Sequence, residues 1–385
     1  MIGTSKKKNG GLLFMILICL LVGVICGTIV SIMNSTVQVD IEQRDTISAL
    51  KYLVIYYILN FFLAILFQII IHESGHLVFG LLSGYGFRSF RIGSLILLKE
   101  ENGVKLRRIH IAGTAGQCIM SPPDMKDGKI PYVLYNLGGS LMNLISSAVF
   151  GLLWFAFSDI EFLSLLMQFL LVMGIFFAAT NGIPMRAGPV DNDGRNTLSI
   201  GRSAEAMRSF WIQMKVSDST ALGNRLSAMP EQWFVMPSQS GLKNSMSATV
   251  AVFRENRLMD MHNFEEALAL IELLEAEDTA VAGLYRALLT CDRMYCMLIL
   301  NTENAAGAVM RLQTKEQLTF MNQMKSFPTV VRTEYLLALF RRDTESAERF
   351  RREFEKCARK YPYAADIESE RELMDIADMH YAQAR

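Results

Sequence analysis

The sequence predicts an α-helical integral membrane protein with a second, soluble helical domain, and three observations lead to this fold class. Of 385 residues, 51% are hydrophobic, and the mean hydropathy is +0.25, which is more apolar than a soluble protein typically needs. The apolar residues form long runs in the first half, whereas charges at helical spacing dominate the second half. We therefore expect a membrane domain at residues 1–196 and an all-α cytoplasmic domain at residues 197–385.

Charge and cysteine content exclude two classes of site. The formal net charge is +0, so the chain as a whole has no basic excess to attract nucleic acid, and we expect no nucleic-acid partner. The six cysteines are scattered without C-x-x-C spacing, which predicts neither a disulfide framework nor a cysteine zinc site.

Four apolar segments are long enough to cross a lipid bilayer, which takes about 20 helical residues. They cover approximately residues 11–33, 52–84, 131–157 and 162–179. The first run is longer than the roughly 7 to 15 residues of a signal-peptide core, and no small-residue cleavage pattern follows it. We therefore expect this first segment to be an uncleaved membrane anchor.

Positive charges lie at alternate connections between these segments. Lys6, Lys7 and Lys8 precede the first segment, and the loop at 87–129 is rich in Lys and Arg, whereas the connections at 34–51 and 159–161 are poor in both. The positive-inside rule then places the basic loop and both termini in the cytoplasm of a multi-pass protein.

The basic loop contains two apolar, β-branched segments, residues 87–98 and 104–111, on either side of Glu101-Asn102-Gly103. Asn-Gly is typical of the turn in a β-hairpin. We expect a membrane-adjacent β-hairpin here, with an edge strand that could capture an extended substrate by strand addition.

The region after residue 197 has the pattern of paired soluble helices. One predicted helix follows a candidate Asn263 cap, and a helix pair is predicted at 333–361 with a break near Arg342-Asp343-Thr344. The apolar face of the first helix comprises Phe264, Ala267, Leu268, Ile271 and Leu274. These units resemble tetratricopeptide-like repeats but lack a regular 34-residue period. An irregular helical domain and a repeat scaffold for a cytoplasmic protein partner are therefore both open interpretations.

The most specific motif is His72-Glu73-Ser74-Gly75-His76, which lies inside a continuous apolar segment. On a helix, residues i and i+4 share a face, so both imidazoles can bind one metal ion while Glu73 approaches a water molecule on that metal. Ionisable groups within a membrane span cost about 2.5 to 3.5 kcal/mol each on insertion scales and persist mainly where they function. The motif predicts a zinc site with Glu73 as the catalytic base.

A catalytic zinc ion usually takes three protein ligands, so a further residue must join the two histidines. The fourth apolar segment ends at Asn181-Gly182-Ile183-Pro184, which interrupts the helix, and Asp191-Asn192-Asp193-Gly194 follows. His72 lies about 20 residues into the second segment, near the predicted cytoplasmic side, where the fourth segment also ends. We therefore expect the third ligand to come from this stretch.

H-E-x-x-H in one apolar helix, followed two spans later by Asn-x-x-Pro and Asp-Gly, resembles the site-2-protease-like intramembrane zinc metalloproteases over roughly the first half of the chain. The resemblance implies that His72, His76 and Asp193 bind zinc and that Glu73 activates water. The stretch from Gly138 to Asn143 resembles a Gly-rich family motif that ends in Asn. We take Asn143 and also Asn181 as candidate contacts of substrate or water.

Two departures from the family pattern leave alternatives open. The gap between Pro184 and Asp-Gly is longer than usual, so Asp191 competes with Asp193 as the ligand, although Gly194 favours Asp193. Ser140 stands where the family usually has Pro, so helix packing through small residues is an equal explanation of that Gly-rich stretch.

The resemblance implies an enzyme of a bacterial cell membrane that hydrolyses a peptide bond in membrane-embedded or membrane-adjacent proteins. The lipid bilayer and the substrate would be its principal partners. A different class of function is a catalytically silent membrane scaffold that recruits partners through its helical tail. A transporter would leave the H-E-x-x-H spacing unexplained, and four spans are few for one.

Overall fold

The computed structural model describes residues 57–100, 103–109, 115–187, 190–275 and 278–382. These residues form two compact units. The first contains the described residues up to Tyr85 together with Pro131–Ala187 and Asp191–Leu198. The second contains the described parts of Gly86–Ile130 and of Ser199–Arg385. The described structure is mostly helical, with a four-stranded antiparallel sheet and a separate two-stranded sheet.

Three helices make up most of the first unit: α1 (Leu59–Leu82), α2 (Val133–Ala156) and α3 (Glu161–Gly182). We call them the apolar bundle. Each is long and apolar enough to cross a membrane, and they match the segments predicted at 52–84, 131–157 and 162–179. The segment predicted at 11–33 lies outside the described residues, so the total of four spans and the placement of the termini stay predictions.

Glycine residues let the bundle helices approach each other closely. A Cβ atom on Gly75 of α1 would lie 2.3 Å from the carbonyl oxygen of Gly138 in α2. A Cβ atom on Gly174 of α3 would lie 2.1 Å from the hydroxyl of Ser147 in α2. Glycine at helix interfaces permits such close packing in apolar surroundings, and a larger residue at either position would force the helices apart.

The sheet of the second unit has four antiparallel strands in the order β3-β2-β1-β4. Their bounds are Gly86–Ile92 (β1), Leu95–Glu100 (β2), Gly103–Arg108 (β3) and Gly116–Ser121 (β4). The predicted hairpin was therefore wrong in treating residues 87–98 as one strand, because this segment turns back on itself. The predicted connection at Glu101-Asn102-Gly103 does lie between two paired strands, since Glu100 pairs with Gly103.

Gly93 explains why the first predicted strand divides. Ile92 pairs with Leu95, so Gly93 and Ser94 form a two-residue turn, and Gly93 has a φ of +58° that favours glycine. Arg91 beside this turn is 1% exposed, and its guanidinium donates to the carbonyl of Gly93 at 2.7 Å and of Gly116 at 3.2 Å. The arginine thereby ties the turn to β4.

The remaining elements are short strands and helices. Two-residue strands occur at Arg186–Ala187 (β5) and Val190–Asp191 (β6). The helices are Asp193–Ile200 (α4), Ala204–Ala221 (α5), Ser245–Asp260 (α6), Phe264–Leu274 (α7), Gly283–Ile299 (α8), Ala305–Leu312 (α9), Lys315–Gln323 (α10), Pro328–Phe340 (α11), Thr344–Ala358 (α12) and Ala364–Ala382 (α13). We call α5–α13 and their connections the helical region; its largest apolar core includes Leu258, Ile271, Leu289 and Leu336.

The predictions for individual helices of this region can be compared with the structure. The helix at Phe264–Leu274 is confirmed with Asn263 at its N-cap position, although the Asn263 side chain makes no capping hydrogen bond. The break near Arg342 is also confirmed, between α11 and α12, where Oδ1 of Asp343 accepts from the amide of Ser346 at 3.0 Å. The tetratricopeptide-like repeat stays a prediction.

Candidate metal centre

Helix α1 places the two histidines of the H-E-x-x-H motif one turn apart on the same face. The Nε2 atoms of His72 and His76 are 3.2 Å apart, and the two residues are 7% and 8% exposed. The two Nε2 atoms therefore face one point in a buried environment, as the four-residue spacing predicts for a helix.

The carboxylate of Asp193 reaches the same point from the first turn of α4. Its Oδ2 lies 3.0 Å from Nε2 of His72 and 3.4 Å from Nε2 of His76. Asp191, the alternative left open by the sequence, instead lies 3.4 Å from the guanidinium of Arg195. The structure thus brings Asp193, and not Asp191, to the two histidines.

Backbone and amide oxygens hold the opposite nitrogen of each imidazole. Nδ1 of His76 is 2.8 Å from the carbonyl oxygen of Tyr135, and Nδ1 of His72 is 2.6 Å from Oδ1 of Asn143. A carbonyl oxygen only accepts hydrogen bonds, so Nδ1 of each ring must donate. In the neutral form of each ring, Nε2 then carries the lone pair, which is the tautomer that a metal ion requires.

A chain of hydrogen bonds fixes the orientation of the Asn143 amide. Gln68 donates its Nε2 to the carbonyl of Leu170 at 2.7 Å, so its Oε1 must face the other way. That Oε1 accepts from Nδ2 of Asn143 at 2.7 Å. The Asn143 oxygen is consequently the atom directed at His72. The donor role of Nδ1 of His72 therefore follows from a chain of hydrogen bonds that begins at the backbone carbonyl of Leu170.

When both rings are in the neutral form that a metal ion binds, three hydrogen-bond acceptors converge at this point. Burial opposes ionisation of Asp193, but its contacts with His76 and His72 hold its pKa below the ordinary value. Two lone pairs and a carboxylate within 3.4 Å of one another repel unless a cation lies among them. The arrangement is that of a cation site.

Glu73 accompanies this group as its neighbour on α1. Glu73 is 8% exposed, and its carboxylate acts electrostatically on His76. Glu73 is thus a buried carboxylate beside the three converging acceptors but outside them, since the grouped ligand atoms belong to His72, His76 and Asp193.

Asn192 positions Asp193, and sequence reasoning gave it no role. Its Oδ1 accepts from the amides of Met185 at 3.0 Å and of Arg195 at 2.9 Å, while its Nδ2 donates to the carbonyl of Ile183 at 2.6 Å. These bonds cap α4 and join it to the chain leaving α3. An Asn directly before a helix is a typical N-cap, which is the signal that could have identified it.

Glycines give the site its close packing. A Cβ atom on Gly139 would lie 2.5 Å from the His72 ring, and one on Gly194 would lie 2.1 Å from the carbonyl oxygen of Gly182. The Gly of the Asp-Gly pair is therefore required because α4 begins against the end of α3. In the same way, a side chain at position 139 would collide with the His72 ring, which explains a glycine in the Gly-rich stretch of α2.

The two asparagines predicted to contact substrate or water have different surroundings. Asn143 is fully buried and hydrogen-bonded to His72, whereas Asn181 donates to the carbonyl of Phe177 at 3.0 Å within its own helix. Contacts of either residue with substrate or water stay predictions.

Comparisons with known proteins add no assignment to this geometry. No family model, no curated protein and no solved structure matches the chain. The case for a function therefore rests on the residues of the site.

Proposed function

We propose that the chain is an intramembrane zinc metalloendopeptidase that hydrolyses a peptide bond of a membrane-embedded or membrane-adjacent protein. One observation carries the proposal: the Nε2 atoms of His72 and His76 and the Oδ2 of Asp193 converge within 3.4 Å of one another. The Nδ1 atoms are held by Asn143 and Tyr135, so in the neutral rings the converging Nε2 atoms carry the lone pairs that a metal ion binds.

The donor set fits zinc in number, type and spacing. Catalytic zinc sites commonly have three protein ligands of the His and carboxylate type and leave a fourth position open. Tetrahedral ligands about 2.0 to 2.1 Å from zinc lie about 3.3 Å from one another, close to the separations of 3.0 to 3.4 Å found here. When bound, zinc supplies Lewis acidity that makes water nucleophilic near neutral pH.

Glu73 is the group suited to move the proton. Its carboxylate would accept a proton from the attacking water as the new carbon–oxygen bond forms at the scissile carbonyl. It would then give that proton to the amide nitrogen as the carbon–nitrogen bond breaks, which releases a carboxylate and an amine. Because it lies outside the three converging acceptors, Glu73 is available for this role without giving up a metal ligand.

The test compares the wild type with Glu73→Gln, Asp193→Asn and Asp191→Asn. Each variant is co-expressed with a panel of single-span membrane proteins that carry a tag at both ends, and zinc content is measured after purification. We expect the wild type to bind zinc and cleave. Glu73→Gln should keep zinc and lose cleavage by about 10² to 10⁴-fold, and Asp193→Asn should lose zinc. Asp191→Asn is the matched control and should keep both properties.

Two outcomes would contradict the proposal. Cleavage by Glu73→Gln at the wild-type rate would remove the catalytic base. A wild type purified from cells grown with ample zinc that neither binds zinc nor cleaves would favour the alternative function, a silent membrane scaffold.

A further inference from the structure

The helical region encloses a second polar site, a cavity of about 190 Å³. It lies among α6, α8, α11 and α13. Its charged lining residues are Arg225, Asp260, Asp292, Arg332, Asp366 and Glu370. Four carboxylates against two guanidinium groups give these walls a formal charge of −2.

Both arginines of the cavity are already engaged by carboxylates. Arg225 lies 2.7 Å from Oδ1 of Asp260 and 2.6 Å from Oε1 of Glu372. Arg332 pairs with Asp292 and lies 2.9 Å from Oε2 of Glu370. No arginine of the lining is left over for Asp366, so the negative excess is real and local.

Glu255 is a buried carboxylate outside the lining, next in sequence to the lining residue Asn256. It is 0% exposed, and within the described parts of the chain neither of its carboxylate oxygens has a hydrogen-bond partner. Its charge interacts with those of Asp292, Arg332 and Glu370, which all line the cavity. A buried carboxylate without a hydrogen bond is costly, and a cation in the cavity would offset that cost.

The shape and lining of the cavity select the kind of cation. Tyr285, Phe327 and Tyr361 contribute aromatic walls, which attract ammonium and guanidinium groups. The volume is below the ~300 Å³ at which pockets for drug-sized ligands begin, so the cavity suits one side chain or a slender amine. In the described residues the metal-like ligand group is His72, His76 and Asp193, so the cavity carboxylates are too far apart to hold a metal ion.

We propose that this cavity binds an organic cation, an aliphatic ammonium or a guanidinium group. The ion is supplied either by a Lys or Arg side chain of a protein or by a free polyamine. Asp366, which has no arginine partner in the lining, and the nearby Glu255 would carry the negative charge that the bound cation compensates, and the aromatic walls surround the alkyl part. The proposal is independent of the metalloprotease function, because every residue that carries it lies in the helical region.

The test measures binding to the full-length protein in detergent by titration calorimetry. The probes are the blocked peptide acetyl-Gly-Arg-Gly-amide, spermidine, and the neutral peptide acetyl-Gly-Gln-Gly-amide. We expect saturable binding of a cationic probe at one per chain and none of the neutral peptide. Tighter binding of the arginine peptide identifies a protein side chain as the source, and tighter binding of spermidine identifies a free polyamine.

Variants locate the binding. Glu255→Gln and Asp366→Asn should each weaken the cationic probe by about tenfold or more. Glu348→Gln, an exposed carboxylate paired with Arg352, is the matched control and should leave binding unchanged. Glu255→Gln keeps the side-chain shape and removes an unpaired charge, so it should fold, which circular dichroism and zinc content of the same sample verify. Absence of saturable binding, or equal binding by the wild type and both variants, would overturn the proposal.

Discussion

The apolar bundle and the helical region each bury a group of ionisable side chains, but the two groups balance their charge differently. In the helical region, Arg332 lies between Asp292 and Glu370 and stacks on Tyr295, with its guanidinium carbon 4.6 Å from the ring centroid. In the bundle, His72, His76 and Asp193 meet as acceptors with no cationic side chain among them. Asp292 and Glu370 are thus paired with an arginine of the chain, whereas Asp193 lies against the two histidines and has no Lys or Arg partner among the described residues.

This difference separates a structural role from a functional one. Removing one partner of a buried ion pair is strongly destabilising because the remaining charge stays buried. A buried cluster with no counter-charge in the chain must obtain a counter-ion from solution. The free-energy cost of burying such a cluster is retained mainly where the cluster serves a function. Burial alone would not distinguish the two groups, since the residues of both are largely enclosed.

The largest effect is expected from breaking the completed group. Arg332→Met leaves Asp292 and Glu370 without their cation and should lower the free energy of unfolding by about 3 to 5 kcal/mol, measured by chemical denaturation. Arg352→Met is the control, because the Arg352 side chain is exposed and its pairing with Glu348 is worth about 0 to 1 kcal/mol. Equal losses in the two variants would show that the buried pairs have no special weight.

Zinc should complete the other group and stabilise it. At a zinc concentration 100 times the dissociation constant, binding to the folded state alone adds about 2.7 kcal/mol. The melting temperature of the wild type should therefore rise with zinc, and that of Asp191→Asn should rise equally. Asp193→Asn should not respond. A zinc response that survives in Asp193→Asn would place the ion elsewhere.

A smaller effect is expected when the support of one ligand is removed. Asn143→Leu deletes the acceptor for Nδ1 of His72, so the ring loses its fixed tautomer, and zinc affinity should fall about 10 to 100-fold. Competition with a coloured chelator measures this. Asn181→Leu removes a hydrogen bond within α3 only and should change zinc affinity little. If both variants bind zinc as the wild type does, the hydrogen bond to His72 does not tune the metal.

A further comparison concerns pH and the helical region. Burial, and then the charges of Glu370 and Asp260, raise the pKa of Asp366 from 3.8 to about 7 against an opposing hydrogen bond from Tyr361. The folded protein therefore keeps a proton that the unfolded chain releases between these values. The stabilising contribution is full below pH 4 and is lost as the pH rises to 7.

Melting temperatures of wild type and Asp366→Asn from pH 4 to 8 check this sign. The wild-type value should fall relative to that of the variant as the pH rises through this window. A difference that stays constant with pH would mean that Asp366 does not titrate there.

The parts of the fold that depend on local pattern could be predicted from the sequence. The three described spans follow from continuous apolar runs, and the shared face of His72 and His76 follows from helical geometry. The division of residues 87–98 into two strands escaped prediction because Gly93 lies inside an apolar, β-branched stretch whose pattern does not mark a turn.

The parts that depend on distant contacts could not be predicted. Asp191 and Asp193 are the same residue type, so the sequence alone does not tell which one reaches the histidines. The hydrogen bonds of Asn192 join the start of α4 to the chain leaving α3, and this contact brings Asp193 to them. Similarly, an arginine in a soluble helix usually lies on a solvated face, so the burial of Arg332, at 1% exposure, becomes visible only when Asp292 and Glu370 are placed beside it.

The contact between Gly75 and Gly138 has a consequence for how a second polypeptide could reach the site. Because the backbones of α1 and α2 touch one turn from the histidines, no extended chain fits between these two helices at that level. An entry route for a membrane substrate must therefore open on another side of the bundle or require α1 and α2 to separate. Two residues without side chains would then determine the direction from which a protein can be cut.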